Sequence, residues 1–192
     1  VVRPLGQVQK DKADASKGSD FAACRLLDFE LEMAFFVGGA PNQTGRPLTL
    51  AEAEERIFGC AIMNDWSARD LQTWEYVPLG PFTSKNFLTA ISPWIVSMDA
   101  LEKFKCQTSA GEKQDPEPLP YLLDPNYHQS AYNIDLTVAI KPDGAAAAST
   151  ICNSNLKYMY WNAKQQLTHH SISGCPMYAG DVFGTGTISG TS

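Results

Sequence analysis

The chain has 192 residues, 44% of them hydrophobic, and carries a formal net charge of −6 with a pI near 5.0. That length suffices for one substantial core and is short for two large domains. An acidic balance without a long basic run argues against work on nucleic acid or anionic membrane surfaces, and no apolar run approaches the roughly 20 residues that span a bilayer. The five cysteines, Cys24, Cys60, Cys106, Cys152 and Cys175, are odd in number and lack a CxxC pair. They point away from a disulfide framework or zinc site and toward small buried thiols.

Residues 1–22 are polar, with Lys10, Lys12 and Lys17, and read as a linker or arm outside the core. A first strand is predicted from about Ala23 to Val37. Within it, Asp28-Phe29-Glu30-Leu31-Glu32-Met33-Ala34-Phe35-Phe36 has the period of a half-buried strand. Extended, it sends Asp28, Glu30 and Glu32 to one face and Phe29, Leu31, Met33 and Phe35 to the other. Carboxylates two residues apart lie roughly 6 to 7 Å from each other, so they repel unless solvated or bridged by positive charge. Two readings stand: a solvated acidic surface, or a site for a hard cation, which takes oxygen ligands.

Gly38-Gly39-Ala40-Pro41-Asn42 turns the chain, and Thr49 followed by Glu52 has the spacing of a capping box, predicting a helix through residues 51–55. The apolar run Ile57–Met63 predicts a strand buried on both faces, from whose end Asp65 emerges in a position suited to a ligand. Ser67 and Asp70 repeat the capping-box spacing, predicting a helix whose Arg69, Gln72, Thr73 and Tyr76 share one polar face. That face is either solvated or the wall of a polar pocket. Pro78-Leu79-Gly80-Pro81-Phe82 ends the helix, and residues 85–92 read as a loop or edge strand.

Residues 107–127 read as a long surface loop, with four prolines after Asp115. Tyr132–Lys141 alternates as a strand with Ile134, Leu136, Val138 and Ile140 inward, and Ala145–Cys152 follows an Asp143-Gly144 turn as its partner. The stripe Leu156, Met159, Tyr160, Ala163 and Leu167 predicts a helix over Asn155–Ser171, with Gly174 as its stop. His169 and His170 then sit in its last turn as structural residues, and His128 is a surface histidine. A last strand runs into Gly184-Thr185-Gly186-Thr187-Ile188-Ser189-Gly190, whose glycine spacing suits either close approach to a ligand or a tight turn.

Glu30-Leu31-Glu32, Asn64-Asp65-Trp66-Ser67-Ala68-Arg69-Asp70, Ser84-Lys85-Asn86-Phe87 and Gly186-Thr187-Ile188-Ser189-Gly190 occur in the order seen in the fumarylacetoacetate hydrolase family, which the chain resembles from about Arg25 onward. Residues 74–82, 114–121 and 165–170 are similar to its members that cleave fumarylacetoacetate rather than to its shorter members. The resemblance implies an α+β, mainly-β fold: a mixed β-sandwich roll with peripheral helices over 23–192. It also implies a preceding SH3-like domain and a cytoplasmic homodimer. It makes Glu30, Glu32 and Asp65 ligands of Ca2+ and/or Mg2+, with Lys85 and Thr89 near a second, Mg2+-type site. Arg69, Gln72 and Lys85 become the oxyanion hole, and Gln72, Tyr76 and Thr187 contact a small 1,3-diketo acid.

The implied reaction is metal-dependent hydrolysis of the C–C bond of 4-fumarylacetoacetate to fumarate and acetoacetate, the last step of tyrosine and phenylalanine catabolism. In the family a water-activating histidine and a further aspartate ligand precede the position of Val1, and a glutamate partner follows that of Ser192. Both ends therefore read as cut, and the expectation is that this chain alone binds metal weakly and turns over little. Two other readings are an acylpyruvate hydrolase or decarboxylase of the same superfamily, and a non-catalytic binding or dimerisation module.

Overall fold

A computed structural model describes residues 2–190 of the chain. Its first elements are β1 (Leu5–Gln9), β2 (Ser19–Ala23), β3 (Leu27–Asp28), β4 (Leu31–Val37), α1 (Leu50–Arg56), β5 (Ile57–Asp65), β6 (Ser67–Ala68) and α2 (Arg69–Leu79). There follow β7 (Thr89–Ile91), β8 (Val96–Ser97), α3 (Met98–Leu101), β9 (Lys105–Cys106), β10 (Ala131–Tyr132), β11 (Asp135–Ile140), β12 (Ser149–Asn155), α4 (Ala163–Ser171) and β13 (Val182–Gly184). Strands dominate and the helices are short, which is the α+β, mainly-β class that the family resemblance implies. The chain forms two compact units, one of residues up to Leu31 with Met63–Ile91, the other of Glu32–Ile62 with Ser92 onward.

In the first unit β1 and β2 form an antiparallel hairpin, Leu5 opposite Ala23 and Gln9 opposite Ser19. Residues 5–23 are thus ordered structure and not the arm their polarity suggests. Few apolar residues suffice because Gly6 lets α2 come close: a Cβ there would lie 2.5 Å from Leu71 Cδ2. Val8, Cys24, Ala68 and Leu71 form the core of this unit, with Ala22, Leu27 and Phe87 packed against it. β3 pairs with β6, and β7 pairs with the end of β5, placing Thr89 opposite Asp65.

The capping box expected at Ser67 and Asp70 does not form. Ser67 lies in β6 with its hydroxyl donating to the Asp65 carbonyl at 3.1 Å, and α2 starts after Ala68 with no side-chain cap. Asp70 instead accepts the Arg25 N–H at 2.7 Å. Spacing alone could not distinguish a cap from this longer-range use of the same carboxylate. The helix kinks at Val77, just before Pro78, as the steric demand of a proline ring on its predecessor requires.

In the second unit β13, β4 and β5 lie side by side, with β8 also paired to β5. Phe35 and Phe183, opposite each other across β4 and β13, stack with centroids 5.5 Å apart. β4 is buried on both faces apart from a half-buried Phe36, so the half-buried strand expected from its alternation is corrected. It is an interior strand, and its polar face turns inward with Glu32 on it. β5 shows the opposite departure. Its run of apolar residues is exposed at Phe58 and Ile62, because an unbroken run does not reveal which face is covered.

α1 carries the capping box read at Thr49 and Glu52. β11 and β12 form the expected hairpin, with a register shift between Val138 and Ala139. The helix expected over 155–171 is shorter: residues through Asn155 belong to β12, a 3-10 turn spans Leu156–Tyr158, and α4 begins at Ala163. Its start is set by a capping box of Asn162 with Gln165. That pair fixes the N-terminus where the apolar stripe could not. Gln165, 1% exposed, donates to Gln114 Oε1 at 2.7 Å and to the Leu122 carbonyl at 2.8 Å, so the long proline-rich loop is fastened to the helix from within.

Candidate active site

The first unit gathers most of the residues that the sequence singles out. Asp65 closes β5, and Glu30 stands between β3 and β4. Two crossed hydrogen bonds hold these segments together: the Asp65 N–H donates to the Glu30 carbonyl at 3.2 Å, and the Glu30 N–H to Asn64 Oδ1 at 3.1 Å. A carboxylate oxygen of Glu30 can then lie within 4.8 Å of one of Asp65. Two such charges repel by about 3 kcal/mol at an effective dielectric near 20. Positive charge has to sit among them.

Lys85 supplies it. Its Nζ lies 2.5 Å from Glu30 Oε2 and 3.1 Å from Asp65 Oδ2. Arg69, at the start of α2, completes the set: Nη1 is 2.9 Å from Glu30 Oε1, and Nε donates to Asp28 Oδ2 at 2.9 Å. The same Nη1 donates to Gln72 Oε1 at 3.1 Å, one turn along the helix. Burial by itself would push the Glu30 carboxyl upward, but the Lys85 ammonium and the Arg69 guanidinium outweigh it and hold that group below the ordinary carboxylate range. Three carboxylates face two cations, so the cluster retains a net attraction for positive charge.

Glu30, Asp65, Arg69, Gln72 and Lys85 are therefore together, with Thr89 beside Asp65 on the neighbouring strand. Tyr76, a turn beyond Gln72, is exposed. Glu32 and Thr187 belong to the second unit. There Glu32, 4% exposed, accepts the Gly186 N–H at 2.9 Å, and Thr187 is the exposed residue that follows. In the second unit, His169 Nδ1 meets the Tyr121 hydroxyl at 2.9 Å, and the His170 ring lies beside Phe183.

Two residues have roles that sequence reasoning did not assign. Asp28 belongs to the acidic alternation, yet nothing local shows that it clamps Arg69. Glu75 accepts the N–H groups of Phe82, Thr83 and Ser84 at 2.7, 3.1 and 2.7 Å, and the Thr83 hydroxyl at 2.7 Å. Burial pushes its carboxyl up, but the hydrogen bonds from Ser84, Thr83 and Phe82 prevail and bring it down to about 2. Backbone donors carry no residue signature, so no motif could have pointed to this contact.

The fold is mainly β, and one end of a strand carries clustered carboxylates with an arginine, a lysine and a glutamine. Residues 4–192 match the family described as Fumarylacetoacetate (FAA) hydrolase C-terminal, and the chain belongs to that family. It is 55% identical to bovine (Bos taurus) and 54% identical to human (Homo sapiens) fumarylacetoacetase, in each case over 99% of this chain and 43% of the relative. The chain thus spans less than half the length of these curated relatives. Among solved structures it resembles a fumarylacetoacetate hydrolase from psychrophilic Exiguobacterium antarcticum, with a TM-score of 0.53 and 24% identity over 98% of this chain and 63% of that one. A yeast protein of the same family gives a TM-score of 0.56 at 20% identity, covering 85% of this chain and 56% of the other. These two likenesses concern the fold.

Proposed function

We propose that this chain supplies the cation-binding and oxyanion-stabilising part of a fumarylacetoacetase, which hydrolyses the C–C bond of 4-fumarylacetoacetate to fumarate and acetoacetate and so ends tyrosine and phenylalanine breakdown. The observation that carries this reading is the convergence of Glu30 and Asp65 on one ammonium group. A place that draws Lys85 Nζ between two carboxylates has the hard oxygen donors that Ca2+ or Mg2+ takes. Glu30, Asp65 and Glu32, two residues along from Glu30, would hold the ion, with Lys85 and Thr89 near a second Mg2+-type position. When bound, the ion supplies Lewis-acid pull on the oxygens of a 1,3-diketone, which makes carbon a tolerable leaving atom.

The chain's own side chains do the rest. Arg69 has five N–H donors and Lys85 three, more than Asp28, Glu30, Asp65 and Gln72 take up. The remaining donors, with the Gln72 amide, suit a tetrahedral oxyanion, and loss of one such donor typically costs on the order of 100-fold or more in rate. Gln72, Tyr76 and Thr187 contact the diketo acid, and the complete enzyme works as a cytoplasmic homodimer.

Calorimetric titration of the chain with CaCl2 or MgCl2 tests the centre. Heat that is lost in Glu30→Gln and Asp65→Asn supports it, and absence of heat from the unaltered chain removes it. In the full-length protein, Arg69→Ala should lower hydrolysis, followed by loss of diketone absorbance, by about 100-fold. Near-normal turnover would refute the oxyanion assignment.

A further inference from the structure

We infer that Glu75 is a positioning residue for Lys85, an inference that deepens the proposed function and rests on it for Lys85's chemical role. Lys85 reaches Glu30 and Asp65 from the turn formed by residues 82–86, in which the Lys85 and Asn86 N–H groups donate to the Phe82 carbonyl at 3.1 and 3.0 Å. Packing does not hold the front of this turn. Phe82 is 69% exposed, and Thr83 is exposed as well. Hydrogen bonds hold it on two sides: Ser84's carbonyl accepts the Ala68 N–H at 2.9 Å, and Glu75 binds the three successive N–H groups of Phe82, Thr83 and Ser84.

Consecutive N–H groups turned to one side form a concave nest for an anion, and here the anion is built into the chain. Glu75 stands one turn beyond Gln72 and two turns from Arg69 on α2, so a single helix carries two of the three proposed oxyanion donors and the anchor for the third. With Glu75 in place the turn is held at three successive amides, and the Lys85 side chain leaves it aimed at the carboxylates. Without Glu75 three N–H groups lose their acceptor, and the ammonium is free to swing into water.

The test reads Lys85 itself. The full chain is labelled with an amine-acylating reagent, and the rate at each lysine is followed by mass spectrometry for wild type, Glu75→Gln and Glu75→Ala. An amide at position 75 offers one acceptor oxygen and turns its NH2 against a donor, so both substitutions should speed labelling of Lys85 by about tenfold, the factor for roughly one net hydrogen bond. Labelling of Lys105 and exchange of the Leu136 amide, both in the second unit, should stay unchanged. An unaltered Lys85 rate in either folded variant overturns the inference. So does wild-type amide exchange at Phe82, Thr83 and Ser84 that is no slower than at exposed Gly111 and Glu112, a measurement that needs no variant to fold. Neither readout involves a divalent cation, so a wild-type chain that gives no heat with Ca2+ or Mg2+ sinks the proposed centre and leaves the placement of Lys85 to be judged on labelling.

Discussion

Arg69 shows how a single side chain can be legible in the sequence and its task still hidden. Its place on the polar face of a helix left open whether that face was solvated. The structure has it gripping Asp28 and Glu30 while touching Gln72, so the start of that face joins a charged cluster, whereas Thr73 and Tyr76 on the same face are exposed. Glu30 and Asp65 were visible as acids in suggestive positions, but their convergence depends on a carbonyl and on the side chain of Asn64, which local patterns do not announce. Glu75 brings a pH consequence. Its folded pKa of about 2 lies below its ordinary 4.5, so the stability it contributes is present above about pH 4.5 and is lost as pH falls toward about 2. Urea midpoints measured between pH 5 and 2 should decline, and Glu75→Gln should flatten part of that decline. An identical decline in the variant would assign the effect to other carboxylates, of which Glu52, also brought to about 2 by Arg46 and Thr49, is the first candidate.

Among the elements, a capping-box spacing placed one helix start and misplaced another, while periodicity found the β11–β12 hairpin and overran the start of α4. α1 starts at its Thr49–Glu52 box, whereas Ser67 and Asp70 share the spacing but serve a strand and a distant amide. Residues 156–160 continue an apolar stripe into α4, yet the preceding chain pairs with β11 as far as Asn155 and cannot be helical. Asn162 is the residue that decides where α4 begins. Its side chain accepts the Gln165 N–H at 2.9 Å and donates to Asp124 and Ser130 at 2.8 and 2.9 Å, so it caps the helix and also ties it to the long loop. Asn162→Ala should cost about 2 kcal/mol, the upper end of a lost cap, seen as a lower urea midpoint at unchanged slope. A loss under about 0.5 kcal/mol, below the range for a lost cap, would mean that Asn162 does not set the helix start.

At the scale of the molecule, each compact unit is assembled from two separate stretches of chain, and no change of composition marks Leu31 or Met63 as a border. Several strands could be read in advance because hydrophobic period reports them, and the class followed from the family resemblance; which stretches keep company is not in the period, since that depends on long-range pairings such as Thr89 with Asp65. The charged cluster of the first unit also bears on how the whole chain matures. With Lys85 lodged between Glu30 and Asp65, repulsion among the acids is already quenched by a charge the polypeptide carries with it. Treating the protein with EDTA should therefore leave one cooperative melting transition, lowered by no more than the linkage expected for a released ligand, and a chain that unfolds outright on chelation would contradict this. Under the proposed function, folding precedes loading: the ribosome's product would reach its final shape in a compartment poor in free divalent ions, its lysine serving as a placeholder.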